Sequence, residues 1–317
     1  MVIAGVAELA ERILDNVDQV IVGKRNTAEL MLVALLCERH ILVEDIPGVG
    51  KTMLARAISR SIGGEFRRIQ FTPDLLPSDV SGISYYNQKS GDFTFRPGPV
   101  FSNVLLADEI NRATPRTQSA LLEAMEERTV TIEGDTMRLP RPFLVLATEN
   151  PIEMEGTFPL PEAQLDRFLV RISIGYPDDE DDELAILERF RQEHPLDTLT
   201  AVATSQDLLA AISECREVHV EPELRRYLTR IVRATRTNDA VKLGVSPRGT
   251  LGLFQASQAL AAIRGRDFVL PDDIRELAGP VMEHRVALNP ETRLRGRSTA
   301  EVLQGIIDEV EVPVEQI

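Results

Sequence analysis

Cysteine is nearly missing from this sequence: Cys37 and Cys215 are the two present in 317 residues. That is too few for a disulfide framework and suits a reducing, cytoplasmic setting. Long apolar runs are missing as well. None approaches the roughly 20 residues that a membrane-spanning helix needs, and the N-terminus shows no basic stretch followed by an apolar one, so neither membrane insertion nor a secretory leader is expected. Basic residues are in deficit, 35 Lys and Arg against 50 Asp and Glu, for a net charge of −15, and both halves of the chain are acidic. The broad basic surface that duplex DNA draws on is therefore not expected. His40, His194, His219 and His284 are scattered, with no neighbour at metal-ligand spacing, which gives no sign of a zinc site. Low-complexity tracts and internal repeats are also absent.

What is present is an ordinary globular composition, 43% apolar and 27% charged, in a chain long enough for two domains. Apolar residues from Val6 to Val17 recur at helical spacing, and a second helix is expected over about 27–38. Strands are expected at 41–44, 66–71, 104–107, 143–147 and 169–174, with helices at 53–61 and 116–126 between them. Such alternation implies βαβ units, a parallel sheet and helices on both faces. Two segments, 83–95 and 129–139, read as β-hairpins inserted into this series. Beyond Pro177 the texture changes. The acidic run Asp178–Glu183 reads as a solvated helix N-terminus, and further helices are expected at 206–214, 221–235, 248–262 and 272–284. The domain boundary is placed at 177, giving 1–177 and 178–317.

The chemistry is concentrated in a few places. Ile41 to Thr52 reads Ile-Leu-Val-Glu-Asp-Ile-Pro-Gly-Val-Gly-Lys-Thr: an apolar strand, a glycine-bearing loop, then Lys-Thr opening a helix. In a phosphate-binding P-loop the backbone at Gly48 and Gly50 approaches phosphate, Lys51 reaches the β- and γ-phosphates, and the Thr52 hydroxyl meets Mg²⁺. The strict pattern has glycine where Asp45 stands. Val104-Leu-Leu-Ala-Asp-Glu109 ends a strand in two carboxylates, suited to holding Mg²⁺ (Asp108) and polarising water (Glu109). Asn150, closing the next strand, could orient that water, or Asn150-Pro151 could simply begin a turn.

The order of these parts resembles an AAA+ ATPase. Specific phrases resemble the MoxR family: Glu-Asp-Ile-Pro-Gly-Val-Gly-Lys-Thr, Phe-Arg-Pro-Gly-Pro-Val-Phe at 95–101, Asp-Glu-Ile-Asn-Arg at 108–112, and Leu-Pro-Glu-Ala-Gln-Leu-Asp-Arg-Phe at 160–168. Asp45 in place of glycine is common in that family. The resemblance implies an AAA+ α/β nucleotide-binding core with two inserted hairpins over 1–177, followed by an all-α lid domain and tail. It implies an ATPase using ATP and Mg²⁺, with Thr52 and Asp108 on the metal and Glu109 as base. It further implies Asn150 as sensor 1, Arg167 as an arginine finger acting on a neighbouring subunit, and Arg248 as sensor 2. The nucleotide would lie among Val22, Gly23, Pro47, Gly48, Val49, Gly50, Lys51, Thr52 and Met53. Glu149 stands where members usually carry Gln. The implied function is remodelling or activation of protein clients by a homo-oligomeric, hexameric ring, with a von Willebrand factor A domain protein as partner. The alternative is a DNA-translocating or helicase-related AAA+ ATPase, for which Arg128, Arg138 and Arg141 beside the second hairpin would serve. An ATP sensor without turnover is a third reading, opposed by the base at Glu109.

Overall fold

The computed structural model describes residues 2–89, 91–150, 156–191 and 194–313. Helices α1 (Val2–Asp18) and α2 (Arg25–Leu36) precede β1 (His40–Glu44), and α3 (Lys51–Ser61) follows it. Next come β2 (Phe66–Gln70), α4 (Pro77–Ser81), β3 (Gly82–Asn87), β4 (Asp92–Pro97) and β5 (Val104–Asp108). Then α5 (Pro115–Glu127), β6 (Thr129–Ile132), β7 (Asp135–Arg138), β8 (Leu144–Glu149), α6 (Glu162–Leu165) and β9 (Phe168–Ile172). The remainder is α7 (Glu180–Arg189), α8 (Pro195–Thr198), α9 (Ser205–Cys215), α10 (Pro222–Thr237), β10 (Val241–Leu243), α11 (Pro247–Ile263), α12 (Pro271–Met282), β11 (Ala287–Leu288), α13 (Pro290–Leu294) and α14 (Thr299–Glu309).

Five strands form one sheet in the order β2-β5-β8-β1-β9, and β2, β5, β8 and β1 pair in parallel. Strands covered on both faces need apolar side chains at every position, not at alternate ones. Hence Ile41-Leu42-Val43, Val104-Leu105-Leu106-Ala107 and Leu144-Val145-Leu146-Ala147 are all buried. Each fully buried aliphatic side chain contributes roughly 1.5–3 kcal/mol, so the sheet centre is strongly held. Parallel pairing also puts the carboxyl ends of β5, β8 and β1 on one edge, in register Ala107–Ala147 and Glu44–Glu149. That edge is where an open α/β sheet gathers its ligands.

Both inserted hairpins form as expected. β3 and β4 pair from Gly82–Pro97 to Asn87–Asp92, and β6 and β7 from Thr129–Arg138 to Ile132–Asp135. The first leaves Ile83, Tyr85, Tyr86 and Phe93 exposed, with Tyr86 and Phe93 edge to face at 5.6 Å.

Contacts divide the chain into two compact units interleaved in sequence. One comprises Arg12–Leu160 and Ile172–Leu209, and the other Met1–Glu11, Pro161–Arg171 and Ala210–Ile317. In the first unit the acidic run does open a helix: Asp179 caps α7 by accepting from the Asp182 N–H at 2.9 Å, and Glu180–Glu183 fill the first turn. The second unit is built on α10, α11 and α12. α10 buries Leu224, Tyr227, Leu228, Ile231 and Val232 along one stripe, the 3.6-residue period that its sequence shows. The strand pair β10–β11 and the short helix α13 escaped the sequence pattern there. Val241–Leu243 pairs antiparallel with Ala287–Leu288; segments this short carry too few residues for a two-residue period to register.

Candidate functional site

The loop after β1 is shaped by two glycines. Gly48 and Gly50 have φ of +87° and +91°, and no atom lies within 4 Å of where a Cβ would stand on either. Backbone conformation, not crowding, therefore requires glycine. The loop leads directly into the N-terminus of the 11-residue α3, whose first N–H groups favour an anion. Lys51 lies half-buried in the first turn of α3, its Nζ donating to the Asp45 main-chain oxygen at 2.7 Å. Burial lowers the Lys51 amine below its ordinary pKa, opposed by the carboxylates of Asp45, Asp108 and Glu109. A cation flanked by three carboxylates and set beside an open glycine loop fits a triphosphate with its metal.

Beside the loop is a cavity of about 310 Å³. Val22, Gly48, Val49, Gly50 and Met53 line it, with Ile174, Gly175, Tyr176 and Pro177 opposite. Five of the nucleotide-contact residues expected from sequence thus come together around one mostly apolar space, the kind of surface a flat base occupies. Gly23 borders a neighbouring cavity of about 350 Å³ with Asp18 and Arg189. Its left-handed backbone runs against Asp182, whose Oδ2 lies 2.1 Å from where a Cβ would be. Pro47 is exposed and Thr52 half-buried.

The two carboxylates after β5 are held differently. Asp108 is buried; its Oδ2 accepts from Arg68 Nε at 2.7 Å and its Oδ1 from the Thr148 hydroxyl at 3.1 Å. Glu109 turns off the strand in a left-handed conformation, φ 55°, which costs a non-glycine residue on the order of 1 kcal/mol or more. Its N–H donates to Thr148 Oγ1 at 2.9 Å, anchoring that turn. Its Oε2 accepts from Gln70 Nε2 at 2.6 Å and from Arg112 Nη1 at 3.0 Å. Carboxylate and hydroxyl oxygens at Asp108 and Thr52 are the hard ligands Mg²⁺ prefers, with phosphate and water completing its shell. Among the described residues no three His, Cys, Asp or Glu side chains cluster as a metal site, so the ion would need the phosphates as co-ligands.

Asn150 is buried at the end of β8, on the same sheet edge; the turn expected at Asn150-Pro151 falls among residues 151–155, outside those described. Arg167 and Arg248 belong to the other compact unit. Arg167 follows α6, its N–H bonded to the Gln164 carbonyl at 3.1 Å. Arg248 is the second residue of α11, capped by Ser246, whose Oγ accepts from the Gly249 N–H at 3.2 Å. The residues flanking these arginines meet: Asp166 Oδ2 accepts from Ser246 Oγ and Oδ1 from Arg285 Nε, both at 2.8 Å.

Residues 40–170 match the ATPase family associated with various cellular activities (AAA), and residues 233–306 match the AAA lid domain. The chaperone MoxR1 of Mycobacterium tuberculosis is 43% identical over 312 residues, covering 96% of this chain and 82% of that protein. The protein MoxR of Paracoccus denitrificans is 36% identical, covering 86% of each chain. The chain belongs to the MoxR family of AAA+ ATPases. An uncharacterized protein of Bacillus subtilis, YeaC, is 49% identical over 97% of this chain and 96% of its own length. Among solved structures, a putative ATPase from Cytophaga hutchinsonii superposes with a TM-score of 0.92 at 37% identity, over 99% of this chain and 97% of that one. The protein is accordingly an ATP hydrolase with a nucleotide-binding core.

For this MoxR-family chain, four polar groups at the site went unnoticed in sequence: Arg68, Gln70, Arg112 and Thr148. The signal was faint but physical. Gln70 is in register with Asp108 on the neighbouring strand, so a polar residue ending β2 is well placed to reach whatever ends β5. Knowing that β2 and β5 are neighbours was the missing step.

Proposed function

We propose that this MoxR-family ATPase binds Mg·ATP at the loop after β1 and uses its hydrolysis to remodel or activate protein clients. The observation that carries the site reading is the placing of Lys51 between an open glycine loop and the paired carboxylates Asp108 and Glu109. In this reading Lys51 and the loop N–H groups hold the phosphates. Thr52 and Asp108 hold Mg²⁺, which lowers the charge on the γ-phosphate when bound, and Glu109 accepts a proton from the attacking water with Asn150 orienting it. Gln70 and Arg112 both bond Oε2 of Glu109, which leaves Oε1 as the oxygen to take that proton. Following the family pattern, Val22, Gly23, Pro47, Gly48, Val49, Gly50 and Met53 surround the nucleotide. Arg248 serves as sensor 2 and Arg167 as the finger toward a neighbouring subunit, worth orders of magnitude in turnover in related chemistry. Residues 1–177 form the nucleotide-binding core and 178–317 the lid and tail.

The aromatic tip formed by Tyr85, Tyr86 and Phe93 supports a protein client, since exposed aromatics pack well against polypeptide. The family resemblance supports including in this proposal a von Willebrand factor A domain partner, a hexameric ring and a cytoplasmic location. Among the described residues no helix is long and apolar enough to cross a membrane. The DNA-translocating alternative loses support at its own residues. Arg141 and Arg128 share the single buried Glu38 carboxylate at 2.7 and 3.3 Å, which offsets one of their two charges within the fold.

The decisive experiment compares Lys51→Ala and Glu109→Gln with the native chain. Lys51→Ala is expected to lose ATP binding. Glu109→Gln should bind ATP and turn it over at least about a hundredfold more slowly, the usual contribution of a general base. Native turnover in Glu109→Gln would remove Glu109 from the mechanism. Recovery of proteins held by the Glu109→Gln chain in ATP would then identify the client.

A further inference from the structure

Asp45 stands where a P-loop ordinarily has its first glycine, a residue with no side chain to satisfy. Here the side chain is buried, 6% exposed, and every partner it takes is a donor. Oδ2 accepts from the Ile174 N–H at 2.5 Å, the Gly175 N–H at 2.9 Å and the Ser173 hydroxyl at 3.3 Å. Oδ1 accepts from the Ile46 N–H at 2.9 Å. A carboxylate supplied with four donors is a strong, geometrically defined anchor. One end of the anchor is the root of the P-loop. The other is the segment after β9, which goes on to Tyr176 and Pro177 and forms one wall of the 310 Å³ cavity. Gly175 turns that wall through a left-handed conformation, φ +68°, so its position is not set by a regular ladder and needs an outside constraint.

We propose that Asp45 is a positioning residue for the nucleotide base: its carboxylate holds Ile174 and Gly175 so that the wall through Pro177 keeps its spacing from Val22 and Met53. The proposal rests on reading this cavity as the base site. The phosphates have a separate holder in Lys51, whose Nζ bonds the main-chain oxygen of Asp45 and not its carboxylate, so that the lysine's hydrogen bond survives loss of the side chain. Loss of the carboxylate therefore weakens binding in proportion to what the base contributes and leaves triphosphate binding alone.

The test measures binding of ATP, and of magnesium tripolyphosphate as a base-free probe, to the full chain carrying Asp45→Asn, Asp45→Gly or Lys51→Ala. Asp45→Asn turns an acceptor into an amide donor facing other donors and leaves at least one unpaired; Asp45→Gly restores the usual loop residue and removes the anchor. Both are expected to weaken ATP binding about tenfold or more, the usual consequence of an unsatisfied buried donor. Tripolyphosphate affinity should stay within about twofold. If both variants bind ATP as the native chain does, or lose ATP and tripolyphosphate equally, the proposal is overturned. Lys51→Ala separates the two levels. If it still binds both ligands normally, the phosphate-site reading falls and takes the proposal with it; if it loses both while the Asp45 variants bind normally, the proposal alone falls.

Discussion

At the residue scale, His40 shows how the core of this ATPase fixes a protonation state. It opens β1, fully enclosed, with Nε2 bonded to the Met125 carbonyl at 3.0 Å and Nδ1 accepting from the Val145 N–H at 3.1 Å. One nitrogen must donate and the other accept, which only the neutral imidazole can do. A second proton would face the Val145 N–H. Burial accordingly lowers the His40 pKa from 6.5 to about 4, with the charges of Arg128 and Arg39 adding to the effect and the Met125 bond opposing it. The folded value is below the unfolded one, so the unfolded chain binds the proton more tightly. The stabilisation is complete above about pH 6.5 and is lost as pH falls toward 4, by roughly 3 kcal/mol in total. Denaturation midpoints measured between pH 7 and 4.5 should fall, and fall less in His40→Gln, whose amide can supply one donor and one acceptor. An identical pH dependence in the two chains would show that His40 is not the group responsible.

At the element scale, the joint between α6 and β9 is held through a single side chain, Arg285. Arg285 is 6% exposed. Besides Asp166 Oδ1, it donates to the carbonyls of Asp166, Phe168, Leu169 and Val281. It thereby joins the strand that carries Arg167 at its head to the end of α12, while Ser246 brings in the first turn of α11. Gly249 is required for this approach: a Cβ there would stand 2.8 Å from Arg285 Cδ. Removing one member of a buried pair leaves a stranded charge and unpaired carbonyls, so Arg285→Ala should cost about 3–5 kcal/mol in chemical denaturation. The exposed pair Arg191–Glu188 gives the contrast, with Arg191→Ala expected to change stability by less than about 1 kcal/mol. Equal effects from the two substitutions would mean that the buried arginine does not hold the joint.

At the scale of the whole molecule, the proposed ring makes turnover collective. A finger arginine acting on a neighbour's nucleotide leaves an isolated subunit without its transition-state cation. ATP hydrolysis per subunit should therefore rise steeply with protein concentration and level off once rings are complete. Arg167→Ala should flatten that curve near its dilute limit. Turnover that stays constant on dilution into monomers would rule out action between subunits. The net charge of −15 adds a condition: self-repulsion weakens association at low salt, so the rise should shift to lower protein concentration as ionic strength increases.

What the sequence by itself determined are features written in neighbouring residues. The glycine loop with Lys51-Thr52, the Asp108-Glu109 strand end, both hairpins and the acidic start of α7 each lie within a short stretch whose local chemistry admits few conformations. The alternation of strands and helices was legible for the same reason, and with it the α/β class. The tertiary structure alone decided which strands are neighbours, and so which distant side chains meet. Asp45 looked like a departure from a pattern because three of its four partners stand 128 to 130 residues further on. Gln70 meets Glu109 because β2 lies beside β5, and Asp166 meets Arg285 across 119 residues. Hydrogen bonds of this kind depend on a few tenths of an ångström and on the order of strands in the sheet, and neither is encoded in the spacing of residues along the chain.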